Sequence, residues 1–171
     1  MAERRERAAP DTVPTRIGQV VMLHHAGDRE EARHRFLGLW AELGEHGDPL
    51  YRCTLAHYLA DTQDDPEEEL AWDLRALTAA EEAAGGRAGA CEGSLAVRAL
   101  YPSLQLNLAA DYARLGRPDA ARAHLHRARG AARALADDRY GEGVRDAIRR
   151  LEALLDGGRA PEGREPPGQR P

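Results

Sequence analysis

The chain has 171 residues, a length that suggests one domain with enough apolar surface to bury a core. Hydrophobic residues make up 42% of it but aromatic residues only 5%, and no run of alternating apolar and polar residues predicts a strand, so the composition favours an all-α fold. With a net charge of -5 and no apolar run long enough to span a membrane, the sequence predicts neither nucleic-acid binding nor a membrane segment.

Both ends of the chain are predicted to be disordered. Residues 1–11 are charged and rich in Ala and Pro, and residues 157–171 are rich in Gly, Pro and charge, so neither end can bury enough apolar surface to fold. The charged N-terminus has no apolar segment behind it and is not a signal peptide, and the two cysteines, Cys53 and Cys91, fit a reducing compartment. We therefore expect a cytoplasmic protein with one helical domain over residues 12–156.

Seven helical segments are predicted between these ends, from apolar periodicity and from the Gly, Pro and N-cap residues that bound it. They span approximately residues 13–26, 28–44, 49–62, 66–84, 95–115, 118–136 and 139–156. Asp28 and Asp65 are the predicted N-caps of the second and fourth helices, with Glu31 as the capping-box partner of Asp28. Because the links at Gly27 and Gly116 are very short, neighbouring helices should run antiparallel and form three hairpins followed by a single helix.

The third predicted hairpin, residues 106–128, carries the most regular pattern of large and small residues. The positions of the pattern are Leu108, Ala109, Tyr112, Gly116, Ala121, Leu125 and Ala128. An alanine where two helices cross lets their backbones approach, and the larger residues fill the space to the next hairpin. This arrangement resembles the tetratricopeptide repeat, whose unit is a pair of antiparallel helices with a period of about 34 residues.

The first two hairpins resemble this repeat more weakly. The first has Gln19 and Val20 in place of the large–small pair, and the middle one lacks the turn glycine and has Leu70 where alanine is expected. The resemblance implies a right-handed α-α hairpin solenoid of about three degenerate repeats, with the last helix as a cap. A generic bundle of amphipathic helices is the alternative, and it would have no groove. The pattern is also similar to that of small helical repeat proteins of actinobacteria.

In tetratricopeptide-repeat proteins the first helix of each hairpin lines a concave groove that receives a peptide or a partner's helix. The resemblance therefore implies a non-catalytic interaction module, acting as an adaptor, a scaffold or a regulatory protein. The residues at the groove positions are Ile17, Val21, His24, His25, Cys53, Thr54, His57, Asp61, Ser103, Asn107, Ala110 and Arg114. The expected binding residues among them are Asn107, Arg114, Ser103, His57, Asp61 and His25.

Asn107 stands where peptide-binding members of the family often carry an asparagine that hydrogen-bonds the ligand. Arg114, two turns further on, is expected to pair with an anionic end of the ligand. The basic neighbours of a full carboxylate clamp are missing, since Leu106 stands at one of their positions. A hydrogen bond between helices is the alternative role of Asn107.

A metal-binding or acid–base site is a second hypothesis for the same positions. His57 and Asp61 are four residues apart and therefore share one side of a helix, and His24 or His25 would supply a third group. Cys53 lies one turn before His57, a spacing that allows a reactive thiol. No established metal or catalytic motif accompanies these residues. The sequence therefore favours a binding module without a cofactor over an enzyme.

A third hypothesis follows from the uneven distribution of charge. Six acidic residues lie between Asp61 and Glu69, whereas the stretch from Arg114 to Arg150 is rich in arginine. Two solvated surfaces of opposite sign are the simplest interpretation. The alternatives are a homodimer in which these two regions meet head to tail, or an anionic partner on the C-terminal half.

Overall fold

The computed structural model describes residues 12–85 and 90–157, and every regular element in these ranges is an α-helix. The helices are α1 (Val13–His25), α2 (Arg29–Leu43), α3 (Pro49–Asp61), α4 (Pro66–Gly85), α5 (Ala90–Arg114), α6 (Pro118–Ala132) and α7 (Arg139–Gly157). The predicted all-α class is confirmed. The predicted disorder of residues 1–11 and 158–171 lies outside the described residues, whereas Gly157, assigned to the tail by the sequence, ends α7.

The links after α1 and α5 each contain a glycine with a positive φ, Gly27 at 97° and Gly116 at 69°. After α5, the N–H of Arg117 donates to the carbonyl of Tyr112 at 2.8 Å, and the N–H of Gly116 donates to the carbonyl of Ala113 at 3.1 Å. These are the two bonds of a Schellman motif. Because glycine adopts a left-handed backbone without a steric penalty, the predicted turn glycines determine where these two helices end.

The two N-cap predictions had different outcomes. The carboxylate of Asp65 accepts a hydrogen bond from the backbone N–H of Glu67 at 3.1 Å, as expected of a cap. Asp28 makes no side-chain hydrogen bond to the start of α2, so the predicted capping box is wrong. The carboxylate of Glu31 instead accepts a hydrogen bond from the Arg35 guanidinium, one turn later, at 2.7 Å.

The end of α6 also differs from the prediction, because the helix stops at Ala132 rather than near residue 136. The guanidinium of Arg145 on α7 donates to the carbonyl oxygens of Ala132, Leu135 and Ala136 at distances of 3.2 to 3.4 Å. A helix end leaves such carbonyls without intrahelical partners. The Arg145 side chain therefore supplies the hydrogen bonds that backbone N–H groups would supply if α6 continued to residue 136.

Three apolar clusters form the core. The first joins α1, α2 and α3 around Phe36, the second joins α3, α4 and α5 around Leu104, and the third joins α5, α6 and α7 around Leu125. The indole rings of Trp40 and Trp72 cross edge to face between the first two clusters, with centroids 5.2 Å apart. Helices α3 and α5 each contribute to two clusters, so they are the elements that connect the core.

The odd-numbered helices lie side by side. Each helix packs against the next one along the chain, and in addition α1 contacts α3, α3 contacts α5, and α5 contacts α7. Within the described part of the chain, no two even-numbered helices bring their backbones this close together, and α2 and α4 meet through the rings of Trp40 and Trp72. Ala121, the alanine expected where the two helices of the third hairpin cross, is fully buried. No described helix combines the length and the hydropathy needed to cross a membrane.

Candidate functional site

His57 on α3 and Asn107 on α5 meet on the side formed by the odd-numbered helices. The side-chain amide N–H of Asn107 donates to Nδ1 of His57 at 3.4 Å, and both side chains are half-buried. Asn107 therefore makes the inter-helix hydrogen bond that was the alternative to ligand binding. The second N–H of the Asn107 side-chain amide and its side-chain oxygen have no hydrogen bond to any residue that the structure describes.

Asp73 on α4 lies beneath this pair. Its side chain is 1% exposed, and its Oδ1 is 3.9 Å from Nδ1 of His57. That oxygen has no hydrogen-bond partner within residues 12–85 and 90–157. The sequence pointed to Asp61 as the carboxylate partner of His57, whereas the buried carboxylate closest to Nδ1 belongs to Asp73.

Asp111 on α5 is a second buried carboxyl group and interacts with Asp73. Asp111 is 1% exposed, and its Oδ2 also lacks a partner in the described structure. Burial, and after it the negative charges of Asp73 and Glu69, raises the pKa of Asp111 to about 8. The charge of Arg114 opposes this rise. Asp111 is therefore protonated at neutral pH.

Sequence analysis missed both aspartates, although each has a detectable signal. Asp73 follows the buried Leu70 by three residues, and Asp111 follows the buried Leu108 by three residues. Residues three apart lie on the same side of a helix, so each acid occupies a position where the periodic pattern predicts an apolar residue. An acid at such a position is rarely left unpaired. We refer to His57, Asp73, Asn107 and Asp111 as the polar cluster.

Opposing effects determine the protonation of His57. Burial lowers its pKa, but the hydrogen bonding and charge of Asp73, with the charge of Asp61, raise it more, so the net shift of the His57 pKa is upward. The neutral imidazole accepts the Asn107 N–H at Nδ1 and therefore carries its own proton on Nε2. The protonated imidazole donates from Nδ1 instead, and the nearest buried acceptor is Asp73.

His24 and His25 reach the same region through Tyr58. The centroids of both imidazoles are 6.5 Å from that of the Tyr58 ring, and the His57 centroid is 5.5 Å from it. Asp61 is exposed, one turn beyond His57. Among the described residues, no group of three or more His, Cys, Asp or Glu is arranged to hold a metal ion. The hypothetical ligand set of His57, Asp61 and His24 therefore has no geometric support.

The acidic stretch after α3 makes ion pairs with arginines of the same chain. The pairs are Arg114–Glu69 at 2.5 Å, Arg117–Glu67 at 3.3 Å and Arg29–Asp64 at 2.8 Å. Arg114, which the sequence assigned to an anionic ligand, thus has an intramolecular partner. The acidic stretch and the C-terminal arginines also meet within one molecule, so less unpaired charge is left for the head-to-tail homodimer.

Ser103 and Cys53 have structural environments of their own. Oγ of Ser103 is 2.6 Å from the hydroxyl of Tyr140, which itself donates to the carbonyl of Ala99 at 3.0 Å, so Ser103 is the donor to the tyrosine. The Cys53 thiol is fully buried, and this burial, followed by the charge of Asp73, raises its pKa to about 11. Cys53 is therefore a thiol rather than a thiolate at neutral pH, which removes the case for a reactive pair with His57.

No protein-family model, curated protein or solved structure matches the chain. The resemblance to tetratricopeptide repeats therefore depends on the spacing of the named residues, and the interpretation of the polar cluster depends on its own geometry.

Proposed function

We propose that the chain is a non-catalytic protein-interaction module that binds a peptide or a partner's helix on the face formed by α1, α3 and α5. In this proposal the helices form a right-handed solenoid of three degenerate tetratricopeptide-like hairpins, with α7 as the capping helix. The close backbone approach of successive odd-numbered helices supports it, as does the wider backbone separation of the even-numbered helices in the described ranges, where α2 and α4 meet through the rings of Trp40 and Trp72. A curved stack of hairpins has this pattern, because its first helices converge on the inner side and its second helices diverge on the outer side.

The hydrogen bond between Asn107 and His57 is the observation that carries this proposal. It joins polar groups of two successive first helices at a half-buried position, with an Nδ2···Nδ1 distance of 3.4 Å. The Asn107 amide keeps one N–H and its carbonyl oxygen for a ligand, and a peptide backbone offers the matching acceptor and donor. The imidazole of His57 adds a group that donates or accepts according to its protonation.

The surroundings favour recognition of the ligand's main chain over recognition of a terminal carboxylate. Arg114 is already paired with Glu69, and the exposed charge next to the polar cluster is the carboxylate of Asp61. An anionic ligand end would have to displace Glu69 and would approach Asp61. A neutral or basic peptide would meet neither obstacle.

Selection from a displayed random-peptide library, with the full chain immobilised, would supply ligands for the test. The dissociation constant of a selected peptide should rise about tenfold in Asn107→Ala, since one hydrogen bond contributes about 1–1.5 kcal/mol. His34→Ala removes an exposed side chain from α2 and serves as the control, for which we expect an unchanged dissociation constant. Circular dichroism of each variant would verify that it is folded.

Amide chemical shifts of the isotope-labelled chain would locate the bound peptide. We expect the shifts to change along α1, α3 and α5. Changes confined to α2, α4 and α6, or the failure of any peptide to be enriched above a scrambled library, would refute the proposal.

Acid–base catalysis at His57 is the second candidate function. This role requires the tautomer with its proton on Nδ1, which leaves Nε2 free as the base, and the buried Asp73 carboxylate, 3.9 Å from Nδ1, is the group that favours this tautomer. Hydrolysis of an activated ester by the wild type should then fall at least tenfold in His57→Gln. Equal rates in the wild type and in His57→Gln would eliminate this candidate.

A further inference from the structure

A second surface, separate from the α1–α3–α5 face, lies between α6 and α7. It is an open cavity of about 480 Å³, and all of its lining residues belong to α6, α7 and the segment between them. Six of the lining residues are Arg129, Arg133, Arg145, Arg149, Ala132 and Ile148. Cavities that bind small molecules have volumes of about 300–1,000 Å³, so this one has room for a small ligand.

The four arginines form two pairs, one on each helix. Arg129 lies on α6 and Arg133, four residues later, is the C-cap of that helix with helical backbone angles, whereas Arg145 and Arg149 are four residues apart on α7. Each pair therefore extends from one side of its helix. Ala132 and Ile148 are each 3% exposed and form an apolar floor. We refer to this cavity as the arginine cleft.

Carboxylates only partly neutralise the arginine cleft. The ion pairs are Arg145–Asp137 at 3.0 Å, Arg129–Glu152 at 3.3 Å and Arg149–Asp146. The guanidinium of Arg133 makes no ion pair or hydrogen bond with any residue that the structure describes. The side chains of Arg129 and Arg149 are 65% and 68% exposed, so their ion pairs contribute little to stability and can be exchanged for bonds to a ligand.

We propose that the arginine cleft binds the diphosphate group of a small molecule. A guanidinium donates two parallel hydrogen bonds to phosphate oxygens and keeps its charge at any physiological pH. Two linked phosphoryl groups can bridge arginines on facing helices, whereas a single carboxylate would reach one side only. Arg145 stays bonded to the end of α6, so Arg129, Arg133 and Arg149 are the groups that hold the ligand.

Isothermal titration of the full chain with inorganic pyrophosphate tests this proposal. The cleft variant is the double substitution Arg133→Gln/Arg149→Gln, and we expect its dissociation constant to be at least tenfold higher than that of the wild type. The matched control is Arg127→Gln/Arg150→Gln, which removes two exposed arginines from the same helices outside the cleft. We expect the control to bind within about twofold of the wild type, because the net charge of the two variants is the same.

Comparison of the two double variants distinguishes a specific binding site from nonspecific electrostatic attraction of the anion. Equal weakening in both double variants, or no binding by the wild type, would overturn the proposal. Tighter binding of a hexaglutamate peptide than of pyrophosphate would also overturn it and would assign the cleft to acidic protein segments. A nucleoside diphosphate that binds more tightly than pyrophosphate would identify an organic diphosphate as the ligand, and equal binding would identify the free anion.

Chemical shifts provide a second readout that does not depend on the variants. Pyrophosphate should move the backbone amide signals of Ala132 and Ile148, which lie on the floor of the cleft. Shift changes centred on α1, α3 and α5 would refute the assignment to this cleft, even if the affinity were high.

Discussion

The buried carboxyl group of Asp111 on α5 interacts with the buried carboxyl group of Asp73 on α4, whose charge helps to keep Asp111 protonated. Both residues are 1% exposed, and burial followed by the charge of Asp73 raises the pKa of Asp111 to about 8. In an unfolded chain an aspartic acid has a pKa of about 3.9. Between these two values the folded protein keeps a proton that the unfolded chain releases, so the free energy of unfolding falls as the pH rises from about 4 to about 8.

The substitution Asp111→Asn should remove this pH dependence, because the amide resembles the protonated carboxyl group and cannot ionise. We expect the variant to be more stable than the wild type at pH 9 by about 1–3 kcal/mol, and the difference to shrink as the pH falls towards 5. Urea unfolding at several pH values would measure it. Asp119→Asn changes an exposed carboxylate on α6 and is the control. Parallel profiles of unfolding free energy against pH for Asp111→Asn and the wild type would contradict the raised pKa of Asp111.

The imidazole of His57 should titrate above the ordinary histidine pKa of about 6.5, because Asp73 and Asp61 outweigh the effect of its burial. A raised pKa means that the stabilising contribution of His57 is complete below about pH 6.5 and is lost as the pH rises through the folded-state value. Titration of the imidazole signals by NMR would give the midpoint. We expect Asp73→Asn to lower the pKa of His57, and the control Asp119→Asn, which changes an exposed carboxylate on α6, to leave the His57 midpoint in place. A midpoint that does not move in Asp73→Asn would show that Asp73 is not the cause.

Gly141, near the start of α7, leaves no room for a methyl group. A Cβ built there would lie 2.2 Å from the carbonyl oxygen of Ala136, and the Gly141 N–H is bonded to the Asp138 carboxylate at 2.8 Å. We therefore expect Gly141→Ala to lower the free energy of unfolding by about 2–3 kcal/mol. Gly143→Ala is the matched control, since a Cβ at that position meets nothing within 4 Å. It should raise stability by up to about 1 kcal/mol, as alanine usually does inside a helix, and equal effects at the two positions would contradict the close approach.

The ion pair between Arg114 and Glu69 should contribute modestly to stability. Its N···O distance is 2.5 Å, but the Arg114 side chain is 49% exposed, so water and salt screen the attraction. A double-mutant cycle with Arg114→Ala and Glu69→Ala should give a coupling energy of about 0.5–1 kcal/mol that falls in 1 M salt. The same cycle with Arg117 and Glu67 offers a comparison at 3.3 Å. A coupling energy of zero for Arg114 and Glu69 would free this arginine for the ligand role that the sequence suggested.

Local signals in the sequence predicted the helices well. Gly27 and Gly116 end α1 and α5 because glycine alone adopts their positive φ without strain, and that preference needs no knowledge of the rest of the fold. The end of α6 could not be predicted in this way, since it depends on Arg145 from the next helix. The capping box at Asp28 failed for a local reason instead, because Arg35, four residues after Glu31 on the same helix, binds the carboxylate of Glu31.

The candidate site was predicted only in part. The groove positions singled out His57 and Asn107, which do meet, but their bond joins residues 50 positions apart and depends on the packing of α3 against α5. Asp73 and Asp111 were missed because a periodic pattern places these positions in the core but does not show which groups surround a carboxyl group there. The raised pKa of Asp111 is a property of the folded chain, since it requires burial and the charge of Asp73 on the neighbouring α4.

The division of the core among three clusters implies that backbone amides are protected from hydrogen exchange to different degrees along the chain. Helices α3 and α5 each belong to two clusters, whereas α1, α6 and α7 each pack in only one. The terminal helices can therefore open without exposing the middle of the protein, as in a linear array where each unit is stabilised by its neighbours. Amide hydrogens of α3 and α5 should exchange most slowly with solvent, and those of α1 and α7 should exchange fastest. Helices α1 and α7 can therefore shift more easily than α3 and α5, so we expect the protein to adapt to a bound molecule at its two ends rather than at its centre.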